Sequence, residues 1–234
     1  MRVTFATRQD AGRRLASRLR ELAVEVDLVV GLPRGGVVVA AEVAAALQRP
    51  LEVIVVRKIG HPWYREYAVG ALAEEDVVIL DRDLIAAAEP TAEEFGHVIA
   101  EEKQRLHDYC QRFTPSTHQS FAGLRVLVVD DGLATGATAE AAICAAHRKR
   151  ARQVILAVPV ASTSACERLE RVADRVITLL TDPDFATVGQ YYEHFDQTDD
   201  AEVLALLHAH AGHPQPGWEL HRSNPPFSSA EGRR

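Results

Sequence analysis

Two aspartates stand side by side in this chain, and a turn of alanine, threonine and glycine follows them: Asp130-Asp131-Gly132-Leu133-Ala134-Thr135-Gly136-Ala137-Thr138. The apolar run Val126-Leu127-Val128-Val129 reads as a buried strand that delivers the pair, and Gly136–Arg148 reads as a helix. Backbone N–H groups of such a turn and helix start converge on one point and attract an anion. Gly136 lets the backbone approach a phosphate closely, and Thr135 and Thr138 add hydroxyl donors. Two carboxylates beside a phosphate cradle would repel the phosphate unless they face other groups. The vicinal hydroxyls of a ribose and a nearby divalent cation are their natural partners. A strand-end acidic pair with an ordinary helix cap is the plainer alternative, but it calls for neither the threonines nor the glycine at these spacings.

The stretch resembles the signature with which type I phosphoribosyltransferases bind 5-phosphoribosyl-1-pyrophosphate (PRPP). The resemblance implies that Asp130 and Asp131 hold the ribose 2′- and 3′-hydroxyls and stand next to Mg²⁺. It also implies that Ala134, Thr135, Gly136, Ala137 and Thr138 surround the 5′-phosphate. Up to about residue 210 the order of elements is similar to a group of bacterial phosphoribosyltransferase-like proteins without a settled substrate.

Three further motifs fit around this one. In Gly31-Leu32-Pro33-Arg34-Gly35-Gly36 the glycines can turn backbone N–H groups inward, and Arg34 offers a fork to phosphate oxygens; the motif resembles the family's pyrophosphate loop. Arg57-Lys58 follow a predicted strand and suit a pyrophosphate, with a solvated strand end as the plainer reading. Arg57-Lys58-Ile59-Gly60 and then Glu66-Tyr67 resemble the mobile loop of adenine-type enzymes, which implies a proton-transfer role for Glu66 beside Arg57 and Lys58. Ala134 occupies the place where purine 6-oxo enzymes carry an aspartate base. Lastly, Asp182-Pro183-Asp184-Phe185 through Val188, Tyr191 and Tyr192 is rich in aromatics that can stack a planar acceptor, or simply pack the final helix. It resembles the base-covering segment of hypoxanthine–guanine enzymes, with one residue fewer before Phe185, and implies acceptor contacts for Phe185, Val188 and Tyr191. His61 lies in the expected loop and could reach a phosphate. His208, His210 and His213 sit where a helix frays and make a poor metal site.

The elements that must position these residues are short buried strands alternating with helices. That pattern predicts an α/β fold with a doubly wound, mostly parallel sheet. Strands are expected at 26–32, 51–56, 77–80, 125–129, 154–160 and 176–180, and residues 59–68 read as a loop. In a 2-1-3-4-5 order the strands ending at Leu32 and Asp130 are neighbours, and both turns open into one crevice at the strands' carboxyl ends. Thr7-x-x-Asp10 and Thr91-x-x-Glu94 are helix-starting capping boxes. Residues 82–113 form a helical insertion, and a hood-like segment follows the last strand. The phosphoribosyltransferase domain is expected over 1–211, with a Pro/Ser-rich disordered tail over 212–234.

Of the 234 residues, 47% are hydrophobic, enough for a substantial core, and the formal charge is −7. The acidic balance argues against general affinity for nucleic acid. Cys110, Cys144 and Cys166 are scattered, as reduced thiols are, and no apolar run is long enough to span a membrane. A cytoplasmic protein with small-molecule substrates, forming a homo-oligomer such as a dimer, is therefore expected. Two functions remain open from these residues: a PRPP-dependent transferase acting on a nitrogenous, purine-like acceptor, and a PRPP-binding regulator without turnover.

Overall fold

The computed structural model describes residues 5–81, 91–113 and 120–210. Its centre is a parallel sheet of β1 (Leu28–Gly31), β2 (Leu51–Val53), β6 (Arg125–Val129), β7 (Gln153–Ser162) and β8 (Arg175–Asp182), in the order β2-β1-β6-β7-β8. This is the expected 2-1-3-4-5 arrangement. The middle strands are apolar at nearly every position because both of their faces are covered. Successive residues of β1 show it: Val29 enters one core, whereas Leu28 and Val30 enter the other.

Helices α1 (Arg8–Glu21), α2 (Gly35–Leu47) and α6 (Asp200–His210) cover the first face. Helices α4 (Ala137–Arg148) and α5 (Thr163–Leu169) cover the second. The predicted stripe of α1 is buried through Leu15 and Leu19, with Leu22 packed beside them. Helix α3 (Ala92–Phe113) buries Phe95, Leu106 and Phe113. Its Thr91 cap is reciprocal: Glu94 N–H donates to Thr91 Oγ1 (3.2 Å), and Thr91 N–H donates to Glu94 Oε2 (2.8 Å).

A second sheet departs from expectation. The run predicted as one strand over 51–56 divides into β2 and β3 (Val56–Gly60), and β3 pairs antiparallel with β4 (Ala68–Ala73), which pairs with β5 (Val77–Leu80). The expected loop is therefore confined to 61–67, and Arg57-Lys58 lie within a strand rather than at its end. Helix α3 packs on β3 and β4. Residues 82–90 of the expected insertion and the expected tail at 212–234 lie outside the described residues. Among the described residues, no helix is long and apolar enough to cross a membrane.

Candidate active site

Parallel pairing of β1 with β6 sets Gly31 opposite Val129, so the turns that follow them leave the sheet together. Leu32 N–H donates to Val129 O at 3.0 Å and holds the first turn against the second. Contact is closest at the two glycines. A Cβ on Gly35 would lie 2.2 Å from Asp131 Oδ2, and one on Gly36 would lie 2.7 Å from Asp130 Oδ1 and 2.9 Å from Asp130 Cα. These glycines thus make room for the acidic pair, a reason the sequence alone does not supply. The turn after Asp131 is pinned to β7: Leu133 N–H donates to Val160 O, Ser162 N–H to Leu133 O (both 2.9 Å), and Ser162 Oγ to Ala134 O at 2.6 Å.

The two carboxylates are largely enclosed, and Asp131 N–H donates to Asp130 Oδ1 at 2.9 Å. Burial, and then the neighbouring Asp131 charge, push the Asp130 carboxyl well above the usual carboxylate range. Burial also raises Asp131, against the downward pull of Arg8. Arg8 Nε donates to Asp131 Oδ2 at 2.7 Å, with only 11% and 15% of the two side chains exposed. Arg8 Nη1 donates to Asp196 O at 2.6 Å, and its guanidinium lies 3.8 Å from the Phe195 ring centroid. Tyr192 OH donates to Asp131 O at 2.6 Å. One guanidinium thereby ties the acidic pair to the segment after β8. Sequence reasoning missed Arg8; its one signal was a cation in a helix's first turn, where the macrodipole disfavours it.

Two helices begin at this crevice, α2 and α4, and their N-cap residues Arg34 and Gly136 contribute no side-chain cap. By contrast, Thr7 and Ser162 cap α1 and α5, accepting from Asp10 N–H at 3.2 Å and Ala165 N–H at 3.0 Å. Ala137 N–H donates to Thr135 Oγ1 at 3.4 Å and Val37 N–H to Arg34 O at 3.1 Å, and the remaining first-turn N–H groups are left to whatever occupies the crevice. Gly136 adopts φ +77°, the left-handed conformation its position demands. Ala134 and Thr135 are exposed, and Thr138 is half-buried. Arg34 is half-buried, its Nη1 3.9 Å from Asp200 Oδ1.

A cavity of about 630 Å³ adjoins the crevice and touches Pro33, Lys58, Glu66 and Thr138. Lys58 lies on the side of the acidic pair, and its charge pulls both carboxyls downward. Arg57, its neighbour in β3, turns the other way: Nε donates to Glu102 Oε2 at 3.0 Å, and the guanidinium stands 5.3 Å from the Tyr109 ring centroid. Glu66 is exposed at the rim. His61 is 1% exposed and packs among Trp63, Tyr64 and Phe95, so it does not reach a phosphate.

A second cavity, of about 450 Å³, opens at the ends of β7 and β8, where Ala134 and Thr135 meet Ser162, Ser164, Glu167 and Phe185. Of the three residues expected to contact an acceptor, only Phe185 borders it. Tyr191 is fully buried, donates its OH to Asp182 Oδ2 at 2.6 Å and stacks on Phe185 at 5.2 Å, so it presents no surface to a ligand. Val188 packs against the Gly132 backbone and Val160 beneath the acidic turn.

Among the described residues, no three His, Cys, Asp or Glu side chains converge to hold a metal. Two hard carboxylates beside two helix starts nevertheless suit Mg²⁺, which needs one or two carboxylates and takes its other ligands from water and substrate.

Residues 6–194 match the family model described as the phosphoribosyl transferase domain. A Mycobacterium tuberculosis protein provisionally named a phosphoribosyl transferase is 41% identical over 229 residues, 97% of this chain. The chain spans about half (52%) of that relative's length, and the same holds for its counterpart in a second strain. The crystal structure of TT1426 from Thermus thermophilus is 39% identical, with a TM-score of 0.73 over 89% of this chain and 100% of that one. On the family match and these relatives, the chain belongs to the phosphoribosyl transferase domain family.

Proposed function

We propose that this chain is a PRPP-dependent phosphoribosyltransferase that displaces pyrophosphate from ribose C1 with a nitrogenous, purine-like acceptor. The observation that carries the reading is the meeting of an enclosed acidic pair with two uncapped helix starts at the end of β1 and β6. Asp130 and Asp131 grip the ribose diol, the turn from Ala134 to Thr138 holds the 5′-phosphate, and the Arg34-Gly35-Gly36 turn with Lys58 receives the pyrophosphate. The acceptor enters the cavity beside Phe185, where the hydroxyls of Ser162 and Ser164 and the carboxylate of Glu167 favour a base that donates hydrogen bonds.

In the reaction the C1–O bond to pyrophosphate breaks and a C1–N bond forms through an oxocarbenium-like transition state. The acceptor's proton passes to Glu66 or to water. Positioning and electrostatics supply the catalysis. Asp130 and Asp131 would hold Mg²⁺ together with the substrate, and the ion would supply charge that neutralises the leaving pyrophosphate. Residues 61–67 carry Glu66 at the rim, and their movement over the cavity would exclude water that hydrolyses PRPP.

The exposure of Glu66 and the engagement of Arg57 by Glu102 favour a second reading, a PRPP-binding regulator without turnover. The two readings separate when the protein is incubated with PRPP, Mg²⁺ and a panel of bases and pyrophosphate release is followed. Release with one class of base supports the transferase. PRPP binding without release for any base supports the regulator, and failure to bind PRPP rejects both.

A further inference from the structure

The motifs account for only one wall of the larger cavity. The opposite wall is α3, which carries Glu101, Glu102 and Arg105 into the lining. The Glu102 side chain is 8% exposed and accepts from two guanidinium groups, Arg57 through Oε2 and Arg105 through Oε1. A buried carboxylate is tolerated only with such partners, and here both of its oxygens are engaged. Each guanidinium carries five N–H donors, and among the described residues the only side-chain hydrogen bond of each goes to Glu102. Donors therefore remain for a ligand. The charged lining comprises Arg57, Lys58, Arg65 and Arg105 against Glu66, Glu101 and Glu102, one net positive charge. Arg65 and Glu101 satisfy each other at 3.1 Å.

We infer that α3 completes the leaving-group site, with Arg57 and Arg105, clamped by Glu102, forming an anion subsite for the outer phosphate of a diphosphate. Arg57 and Lys58 border the same cavity from successive positions of β3, with Arg57 tied to Glu102 on α3 and Lys58 free of that tie, so each can serve a different phosphate. Lys58 meets the inner phosphate near Thr138 and Pro33, and Arg57 meets the outer one with Arg105. The site thus wraps the edge of β3, an edge strand of its sheet. The inference rests on the PRPP reading above, but it concerns a helix outside the PRPP motif.

Calorimetric titration of the full chain with inorganic pyrophosphate and, separately, with ribose 5-phosphate, both with Mg²⁺, tests it. Arg105→Ala is expected to weaken pyrophosphate about tenfold, as for loss of one charge-assisted pair. Ribose 5-phosphate, held at the Thr135–Thr138 turn, should stay within about twofold, and Arg105→Lys should recover part of the loss. Arg105→Ala leaves the enclosed Glu102 with Arg57 alone, so the melting temperature should fall by a few degrees, and retained ribose 5-phosphate binding shows that the site is still folded. Unchanged pyrophosphate affinity in Arg105→Ala, with ribose 5-phosphate still bound, overturns the subsite and leaves the PRPP reading standing. Failure of the wild type to bind either ligand overturns both.

Discussion

At the end of β1 and β6 the crevice is built from backbone: two turns, two uncapped helix starts, and glycines whose missing Cβ atoms make room for Asp130 and Asp131. At the end of β7 and β8 it is built from side chains: the hydroxyls of Ser162 and Ser164, Glu167 and the ring of Phe185. The first region is fixed by the sheet register, and a substituent that adds volume damages it. The second is fixed by packing among Phe185, Tyr191, Tyr192 and Phe195, and removal of a ring damages it. On the proposed function the backbone-built region takes PRPP and the side-chain-built region takes the acceptor, and side chains are replaced more easily than a backbone path.

Among substitutions that add volume to the backbone-built region, the largest effect is expected at Gly36. In Gly36→Ala the new Cβ meets the Asp130 and Val129 backbone at 2.9 and 3.0 Å, atoms that cannot swing aside. PRPP affinity should fall by about 100-fold, roughly 2.7 kcal/mol, measured by calorimetry. Near-normal affinity would break the claim that the glycines shape the diol site.

Asp130→Asn should separate function from stability. The folded-state pKa of Asp130 is raised, so the folded chain binds its proton more tightly than the unfolded chain does. Wild-type stability therefore falls as pH rises from the ordinary carboxylate range through that raised value. The asparagine variant should melt higher than the wild type at pH 7, and the gain should shrink on acidification.

Smaller effects are expected on the side-chain half. Phe185→Ala should raise the acceptor's KM about tenfold while leaving PRPP affinity within about twofold. Tyr191→Phe should spare both and cost about 1 kcal/mol of stability through the lost bond to Asp182, read from chemical denaturation. Equal effects of the two variants on KM would blur the distinction between the exposed ring and the buried one.

The same contrast explains what the sequence could reveal. The apolar run before Asp130 and the turn after it are local, and their spacing states both the strand and the helix start that follows. β4 was hidden because Ala68-Val69-Gly70-Ala71-Leu72-Ala73 is rich in small residues with weak strand preference. Those residues are small because α4 lies against the strand, and a Cβ on Gly70 would sit 2.3 Å from Ile79 O. Arg8 is one of five arginines between positions 8 and 20, and only the fold brings it to a carboxylate 123 positions away. The aromatic segment showed which rings were present but not which one faces out. Phe185 and Tyr191 read alike until the Asp182 bond buries the second. Arg57 and Lys58 read as one basic pair because the continuous apolar run 51–56 hides the break between β2 and β3, and both residues belong to β3.

The most direct test of the central claim is calorimetric titration of PRPP, with Mg²⁺, into the wild type and Asp131→Asn. The substitution preserves shape and leaves an oxygen for Arg8 but removes the charge that would hold the diol. Strong binding to the wild type and a loss of about 100-fold or more in the variant is the predicted result. Equal affinity of the two proteins for PRPP would contradict the assignment of the acidic pair and the reading built on it.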